Sequence, residues 1–427
     1  MEFLNDFVHQ NAMSISFAIL GIAYVFIALE KIPKMVIAVI GASLTLFLGL
    51  VNSTEAFKHV DFNVLFLLVS MMIIVNISSK SGMYDWLAIE MVKLTKGRPI
   101  LVLAVLALFT GVVSAFLDNV TTVILVMPLT FVIAELFEIS PVPFLISEVI
   151  ASNIGGTATL IGDPPNIIIA SKAGLSFMDF LINLTPVVSV IMVVSLTILG
   201  LWFKKDIKVK DGNIKKVLEL DNSKTIKNKN LMLRSIFVLA LVIFGFIMHD
   251  KTGLAAYVPA MAGAGFMLLY EKPHKILMNV EWSTIIFFAG LFIIIGGIEV
   301  NGGIHYLANK MITATGGSTK IASMLILWGS GIVSGIVDNI PYTATMTPLI
   351  SDLGDVMNLE PLWWSLSLGA CLGGNFTIVG AAANVIVSEK AAAEGHKITF
   401  LGFMKYGIVI TTISLAISTV YLLIRYF

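Results

Sequence analysis

The pattern Ser-x-x-x-Asp-Asn occurs twice, at residues 114–119 and again 220 positions later at residues 334–339. Each copy lies within a long apolar stretch that contains no Lys or Arg. An ionised carboxylate inside lipid-soluble sequence is costly, and such residues usually mark ion or proton pathways. We therefore expect Asp118 and Asp338 to exchange protons or to hold a metal cation. Two other interpretations stay open: a carboxyl group kept protonated by hydrogen bonds, or a turn that reaches water.

The composition indicates a membrane protein. Of the 427 residues, 57% are hydrophobic and 13% are charged, and the mean hydropathy is +0.95. Soluble domains carry about 25% charged residues, so a soluble globular protein is excluded. Apolar runs long enough to cross roughly 30 Å of hydrocarbon predict an all-α fold with about ten spanning helices. These runs begin near Ser14, Met35, Phe62, Phe144, Thr185, Leu231, Leu254, Ser283, Trp363 and Gly402.

Several other classes of protein find no support. The formal net charge is +0 and the basic residues flank apolar runs, so we expect no nucleic-acid partner. The first residues lack a secretory-signal pattern, and we expect the first apolar run to remain in the mature protein. The single cysteine, Cys371, excludes an internal disulfide and a thiolate metal cluster. No zinc-protease, phosphate-loop or hydrolase-elbow motif occurs, so the chain is predicted to be no enzyme and to need no cofactor beyond a coupling ion.

The two acidic motifs belong to a longer internal repeat. The offset of 220 also pairs Asp61 with Glu281, Gly82 with Gly302, and Pro128 with Pro348. With the offset reduced to 218, residues 155–159 match residues 373–377. Regular spacing over many elements indicates a duplication.

Residues 99–137 are predicted to form a helical hairpin. As one helix, residues 99–135 would be about 55 Å long, which is too long for a bilayer. The polar residues that begin at Asp118 are the natural tip, and the second copy predicts a matching hairpin at 320–355. Each hairpin is expected to be re-entrant, entering and leaving from one side.

Two further spans, at 144–171 and 363–390, are predicted to be broken helices. In the first of them, three glycines and two prolines fall between Asn153 and Asn166. Such residues release backbone carbonyls and amides, which are tolerated at membrane depth only where they line a cavity or bind an ion. The alternative is that the glycine pairs serve only close helix packing.

Counting crossings predicts an inverted repeat, because an odd number of spans per repeat and an even connection turn the second copy over. The predicted organisation has N-terminal scaffold helices at 1–60, repeat 1 at 61–203, a basic linker at 204–230, scaffold helices at 231–280 and repeat 2 at 281–427. The loop from Lys204 to Arg234 carries ten basic and four acidic residues, which predicts a cytoplasmic location. By alternation, 21 of the 27 basic residues then face the cytoplasm of a multi-pass protein in the plasma (inner) membrane.

The hairpin tips and the Gly-Gly-Thr-Ala-Thr-Leu-Ile-Gly-Asp-Pro-Pro-Asn segment together resemble the ArsB/NhaD permeases of the ion transporter superfamily. That group also contains the melanosomal P protein and, more distantly, dicarboxylate and citrate transporters. The resemblance covers roughly residues 60–427. It implies a scaffold, a mobile transport domain that contains both hairpins and both broken helices, a homodimer in the lipid bilayer, and an elevator movement.

Carried over by motif, the resemblance also implies where ions and substrate bind. The cation or proton sites would use Ser114, Asp118, Asn119 and Gly156 in one copy, and Ser334, Asp338, Asn339 and Gly374 in the other. Na⁺ could be held at the two Asp-Asn pairs. A small inorganic substrate would lie near Thr157, Thr159, Asp163, Asn166, Asn375, Thr377, Gly380 and Asn384.

The leading functional hypothesis is secondary active transport, with Na⁺/H⁺ exchange as the favoured case. In the dicarboxylate branch each tip looks like Ser-Asn-Thr, whereas both tips of this chain are acidic. The acidic tips disfavour carboxylate substrates and suggest proton participation. One alternative is proton-coupled efflux of arsenite, antimonite or another small anion, for which a separate ATPase subunit could be a partner. A passive ion channel is a third hypothesis, since broken helices and polar tips also line pores.

Overall fold

A computed structural model describes residues 7–29, 31–210, 213–214, 218–219 and 225–427. Within these ranges all regular secondary structure is helical. Most of the centre of the predicted basic linker, at residues 211–212, 215–217 and 220–224, lies outside the described residues.

The helices of the first half span the apolar runs and the two predicted breaks. They are α1 (Ala12–Leu29), α2 (Lys34–Phe47), α3 (Ser53–His59), α4 (Phe62–Ser79), α5 (Met83–Leu94), α6 (Pro99–Ser114), α7 (Asn119–Phe137), α8 (Val142–Gly156), α9 (Pro164–Ala173), α10 (Phe177–Asn183) and α11 (Thr185–Phe203).

The second half repeats this order with small changes in length. Its helices are α12 (Lys229–Ile247), α13 (His249–Thr252), α14 (Tyr257–Leu268), α15 (Pro273–Leu277), α16 (Trp282–Val300), α17 (Gly303–Thr315), α18 (Thr319–Val337), α19 (Asn339–Asp352), α20 (Glu360–Gly373), α21 (Ala382–Ala393) and α22 (Phe400–Tyr426). A 3₁₀ turn, Ile378–Gly380, lies between α20 and α21.

Eight of the described helices are long and apolar enough to cross a membrane: α1, α4, α7, α11, α12, α16, α18 and α22. Helices α9 and α10 meet at an angle of 115° and raise the number to nine if they count as one span. The chain is therefore an all-helical, multi-pass membrane protein. The finer expectation of about ten spans stays a prediction.

Four of the predicted spans form helices that are shorter than these eight. Helices α2, α8, α14 and α20 contain 14, 15, 12 and 14 residues. Two of these, α8 and α20, end at the glycine pairs 155–156 and 373–374, where the helical hydrogen-bond ladder stops. Conversely, α7 and α18 of the predicted hairpins each contain 19 residues and could cross a bilayer by length. Re-entrance of the hairpins stays a prediction.

The structure contains the predicted interruptions at the positions that the sequence indicates. Helix α6 ends at Ser114 and α7 begins at Asn119, while α18 and α19 are separated only by Asp338. The first broken segment interrupts the helix between Gly156 and Pro164.

Residues that correspond in the repeat occupy equivalent positions. Gly82 and Gly302 precede α5 and α17 with φ of +80° and +75°, a conformation that favours glycine. Asp61 and Glu281 likewise precede α4 and α16. The duplication is therefore visible in the backbone as well as in the sequence.

Helices of one copy pack against helices of the other copy. Within each copy the first hairpin helix packs on the helix before the break, α6 on α8 and α18 on α20. Between copies, α9 packs on α19 and α21 packs on α7. The helices that precede each repeat also cross over, since α2 packs on α16 and α14 packs on α4. Both breaks and both hairpin tips are consequently held at the centre of one helical assembly.

Candidate functional site

Both aspartates of the repeated motif cap the N-terminus of the helix that follows them. Asp118 accepts a hydrogen bond of 2.9 Å from the Thr121 amide, and Asp338 accepts one of 3.0 Å from the Ile340 amide. A side-chain oxygen at this position satisfies a backbone donor that the helix itself leaves free. The sequence therefore places each carboxylate at the point where one hairpin helix begins.

The two caps differ in backbone conformation. Asp118 has an ordinary extended conformation with φ of −65°, whereas Asp338 has φ of +90° and ψ of 134°. A positive φ at a non-glycine residue costs free energy, of order 1–3 kcal/mol, and such residues cluster at functional sites. The second tip stores strain that the first tip lacks.

Asp338 also has a basic partner, although no Lys or Arg lies near the motif in sequence. Lys34 Nζ lies 3.0 Å from Asp338 Oδ2. The two residues are 304 positions apart and their side chains are 28% and 9% exposed. The sequence near the motif could not predict this contact, because only tertiary packing brings α2 to the tip.

Both tips open into a single cleft of about 420 Å³. Four carboxylates line it, from Asp118, Glu281, Asp338 and Glu389, together with the ammonium group of Lys34. Glu281 lies within electrostatic range of both Asp118 and Lys34. With every group ionised, the lining has three more negative than positive charges, so the cleft attracts cations and repels anions.

The predicted cation site of the first copy is assembled from three segments. Ser114 Oγ lies 2.5 Å from the Asn119 amide, and Ser152 Oγ lies 3.0 Å from Ser114 Oγ. In the orientation that satisfies its hydrogen bonds, the Asn119 amide nitrogen donates to the carbonyls of Ser152 and Gly162, each at 3.1 Å. The structure thus brings Ser114 and Asn119 together, next to the break.

The backbone is crowded at this place. A Cβ atom on Gly162 would lie 2.6 Å from the carbonyl oxygens of both Gly156 and Ser114. A Cβ atom on Gly156 would lie 2.4 Å from the side-chain amide group of Asn119. Only glycine allows these carbonyls to converge with the amide of Asn119.

The second copy has the same crowding but different hydrogen bonds. A Cβ atom on Gly380 would lie 2.8 Å from the Gly374 carbonyl oxygen and 3.2 Å from that of Gly335. Ser334 Oγ donates to the Ala370 carbonyl at 2.6 Å, and Thr377 Oγ1 donates to that of Gly335 at 2.6 Å. The corresponding bond in the first copy joins the Thr159 hydroxyl to the Ala115 carbonyl.

Asn339 connects the second tip to the first break. Its amide nitrogen donates to both carboxylate oxygens of Asp163, at 3.1 and 3.3 Å. Asp163 is 2% exposed and precedes α9, while Asn339 begins α19. These two predicted site residues therefore lie at the interface of the two repeats and not in separate sites.

Asn166 and Asn384 act as clamps across the two breaks. Asn166 Nδ2 donates to the carbonyls of Thr157 and Thr159 at 3.1 and 2.8 Å. Asn384 Nδ2 donates to those of Gly374 and Thr377 at 2.7 and 2.9 Å. Their carbonyl ends are also occupied, because Ser367 donates to Asn166 Oδ1 and Asn153 donates to Asn384 Oδ1. These contacts give both residues a structural role, and their contact with substrate stays a prediction.

Asn153 and Lys34 are central residues that residue type and spacing did not indicate as site residues. Asn153 Nδ2 donates to Asn375 Oδ1 and Asn384 Oδ1, both at 2.9 Å, and so joins the two breaks. A polar amide two residues before a glycine pair in an apolar helix could have signalled this role. For Lys34, the single-sequence signal was weak, because a lysine at the start of a helix is common.

The described residues hold no group of three or more His, Cys, Asp or Glu side chains that could bind a metal ion. Oxygen donors at the two breaks are backbone carbonyls, hydroxyls and side-chain amides. Such a donor set suits a weakly bound monovalent cation better than a transition metal, which prefers imidazole or thiolate.

Comparisons with known proteins identify the family of this chain. The sequence profile of the family described as "Citrate transporter" (CitMHS) matches residues 24–369. The chain is 41% identical to a "46 kDa membrane protein" of Mycobacterium leprae, over 96% of this chain and 98% of that protein. It is 40% identical to an "uncharacterized transporter" of Mycobacterium tuberculosis, over 95% and 96% of the two chains.

A more distant similarity reaches the P protein of Mus musculus, with 31% identity over 100% of this chain and 62% of that protein. The resemblance to the group that contains the P protein and the citrate transporters is thereby confirmed. The chain is a transporter and not an enzyme, and it belongs to the citrate transporter family of the ion transporter superfamily.

Proposed function

We propose that this protein is a cation-coupled secondary transporter that exchanges Na⁺ for H⁺. The observation that supports this most strongly is the cleft in which Asp118, Glu281, Asp338 and Glu389 face a single ammonium group. A lining with this charge raises the local concentration of cations and opposes the entry of anions. A carboxylate at each hairpin tip can bind either Na⁺ or H⁺ and can therefore couple the two ions.

The two cation sites are proposed at the breaks beside the tips. The first comprises Ser114, Asn119 and the carbonyl oxygen of Gly156, with Asp118 at the cleft side. The second comprises Ser334, Asn339 and the carbonyl oxygen of Gly374, with Asp338 at the cleft side. The convergence of carbonyls permitted by the glycines supports this assignment. A small inorganic substrate would contact Thr157, Asp163, Asn375 and Gly380 between them.

The proposed transport movement is an elevator motion of the hairpins and breaks against the remaining helices. Inverted repeats, two re-entrant hairpins, a homodimer and a cytoplasmic central loop complete this proposal. The exchange of elements between the copies supports it, since α9 and α21 each cross to the hairpin of the other copy. Inverted repeats commonly provide alternating access in this way.

Transport of a citrate-like anion is a weaker candidate, although the family is described as citrate transporters. A multiply charged anion would enter a cleft that already holds four carboxylates. Efflux of arsenite is also weaker, because Cys371 is fully buried and donates to Asn166 Oδ1 at 3.5 Å. A single buried thiol cannot chelate arsenic, although uncharged arsenous acid could bind to hydroxyls.

Ion exchange is tested with purified protein in liposomes that contain a pH-sensitive dye. A pulse of external NaCl should make the lumen more alkaline, because entry of Na⁺ expels H⁺, whereas choline chloride should not. The absence of proton movement would overturn Na⁺/H⁺ exchange. Arsenite-driven proton movement would favour the efflux alternative, and unitary currents far above carrier rates in planar bilayers would favour a channel.

A further inference from the structure

The contact between Lys34 and Asp338 has a consequence for ion binding. The ammonium nitrogen lies 3.0 Å from the carboxylate oxygen, within the same cleft through which a cation would reach that oxygen. A carboxylate cannot give its full attraction to a mobile cation while it holds a fixed one at contact distance. The ammonium group of Lys34 therefore occupies the position at Asp338 that a transported cation would take.

The lysine and the aspartate lie on elements that are far apart in sequence, 304 positions from each other. Lys34 is the first residue of α2, which packs on α16, whereas Asp338 is the tip between α18 and α19. Lys34 Nζ also lies 5.2 Å from the centre of the Phe287 ring on α16, a cation–π contact. The ammonium group is thus anchored to α16 and reaches across to the hairpin.

Among the described residues, the first copy has no equivalent ion pair at Asp118. Lys34 begins α2, whereas the offset of 220 leads to Leu254 and α14 begins at Tyr257, and neither residue has a positive charge. Asp118 keeps an ordinary backbone conformation, whereas Asp338 has φ of +90°. Of the two hairpin tips, the strained backbone conformation therefore occurs at the one that also holds the ammonium group.

We propose that Lys34 is a tethered cation that competes with the transported cation for Asp338 and holds the second hairpin tip in place while that carboxylate is empty. Arrival of Na⁺ or H⁺ at Asp338 releases the ammonium group, which Glu281 in the same cleft can then receive. The tip becomes free to move only when it is loaded. An exchanger needs this property, because return of an empty carrier would dissipate the gradient. The inference rests on the proposed cation exchange.

The test measures the Na⁺ concentration that gives half-maximal proton flux in liposomes. Lys34→Gln and Lys34→Met remove the charge and keep much of the aliphatic stem. If the wild-type pair is formed about 90% of the time, removing it should lower the half-maximal Na⁺ concentration by about tenfold, because apparent affinity scales with the free fraction of the site. Lys34→Arg keeps a competing cation and should leave that concentration unchanged or raise it.

Lys31→Gln is the matched control, since Lys31 is exposed and lies three residues away at the same end of α2. It should leave the half-maximal Na⁺ concentration at the wild-type value. Each variant is also tested for folding by thermal unfolding and by gel filtration in detergent.

A second measurement follows the leak of Na⁺ through the carrier in the absence of exchange. Liposomes loaded with ²²Na⁺ and diluted into Na⁺-free buffer at high external pH should lose label faster with Lys34→Gln than with wild type, because the empty carrier of the variant can return. In the Asp338→Asn background, Lys34→Gln should have no further effect on either measurement.

The possible failures are distinguishable. Wild-type protein without any Na⁺-driven proton flux overturns the proposed function and this inference with it. Wild-type flux with an unchanged half-maximal Na⁺ concentration in both folded charge-removing variants overturns the inference alone. A lower maximal flux at unchanged half-maximal concentration would assign Lys34 a purely structural role, and also overturns it.

Discussion

At the scale of single residues, the asparagines of this chain divide into clamps and site residues. Asn166 and Asn384 use their amide nitrogens to close the two breaks and their oxygens to bind neighbouring helices. Asn119 and Asn339 instead lie at the tips, where they contact the break of the first copy. Residue type and spacing alone do not separate these roles, because all four are buried amides.

Asn166→Ala and Asn384→Ala should each lower the free energy of unfolding by about 2–3 kcal/mol, because two buried carbonyls lose their donor. The loss should be the same in Na⁺-containing and Na⁺-free buffer, as expected for a structural clamp. Thermal unfolding in detergent measures it, with the exposed residue Asn309→Ala as control. Stability lost only in the presence of Na⁺ would instead indicate that these residues bind the ion.

At the scale of helical elements, glycine sets the distance between the helices that carry the site. A Cβ atom on Gly155 would lie 1.9 Å from the Gly111 carbonyl oxygen, between α8 and α6. The equivalent atom on Gly373 would lie 2.6 Å from the Gly331 carbonyl oxygen, between α20 and α18. The same close approach in both copies lets α6 pack tightly on α8 and α18 pack tightly on α20.

Gly155→Ala and Gly373→Ala should separate these helices and lower the free energy of unfolding by about 3 kcal/mol or more, because the atoms that a methyl group would meet are backbone atoms that cannot move aside easily. The larger loss is expected at Gly155, where the contact is closer. Gly329→Ala on α18 is the control, since nothing lies within 4 Å of its Cβ position. Equal stability of the control and the two test variants would contradict the close approach.

Much of this element plan could be predicted from the sequence. The glycines and prolines between residues 153 and 166 predicted a break, and the helix stops at Gly156 and resumes at Pro164. Helix lengths were less predictable, since apolar residues continue past the points where α2 and α14 end. Apolar composition reports burial in lipid or protein without distinguishing a span from a shorter buried helix.

At the scale of the whole molecule, the contacts of the two hairpins are unequal. The second hairpin is tied to the first helices of the chain by Lys34 and by Tyr24, whose hydroxyl donates to the Pro341 carbonyl at 2.7 Å and lies 2.5 Å from Thr345 Oγ1. These contacts join residues more than 300 positions apart. A single sequence carries no signal for such pairs, so this part of the site could not be predicted.

Tyr24→Phe should loosen the start of α19 without affecting the first hairpin. Loss of the hydroxyl leaves the Pro341 carbonyl without this donor, so amide hydrogen exchange in a peptide covering residues 339–347 should become faster. Exchange in residues 119–127 of α7 should stay at the wild-type rate and serves as the internal control. Equal acceleration in both hairpins would indicate general destabilisation and would contradict the unequal tethering.

The central claim is that the two tip carboxylates couple Na⁺ movement to proton movement. The most direct measurement compares Na⁺-driven proton flux in dye-loaded liposomes for wild type, Asp118→Asn, Asp338→Asn and the exposed control Asp355→Asn. We predict robust flux for wild type and the control, and flux reduced at least about tenfold for each tip variant, because asparagine keeps the helix cap but cannot carry a proton or a charge. Wild-type flux in both tip variants would contradict the account.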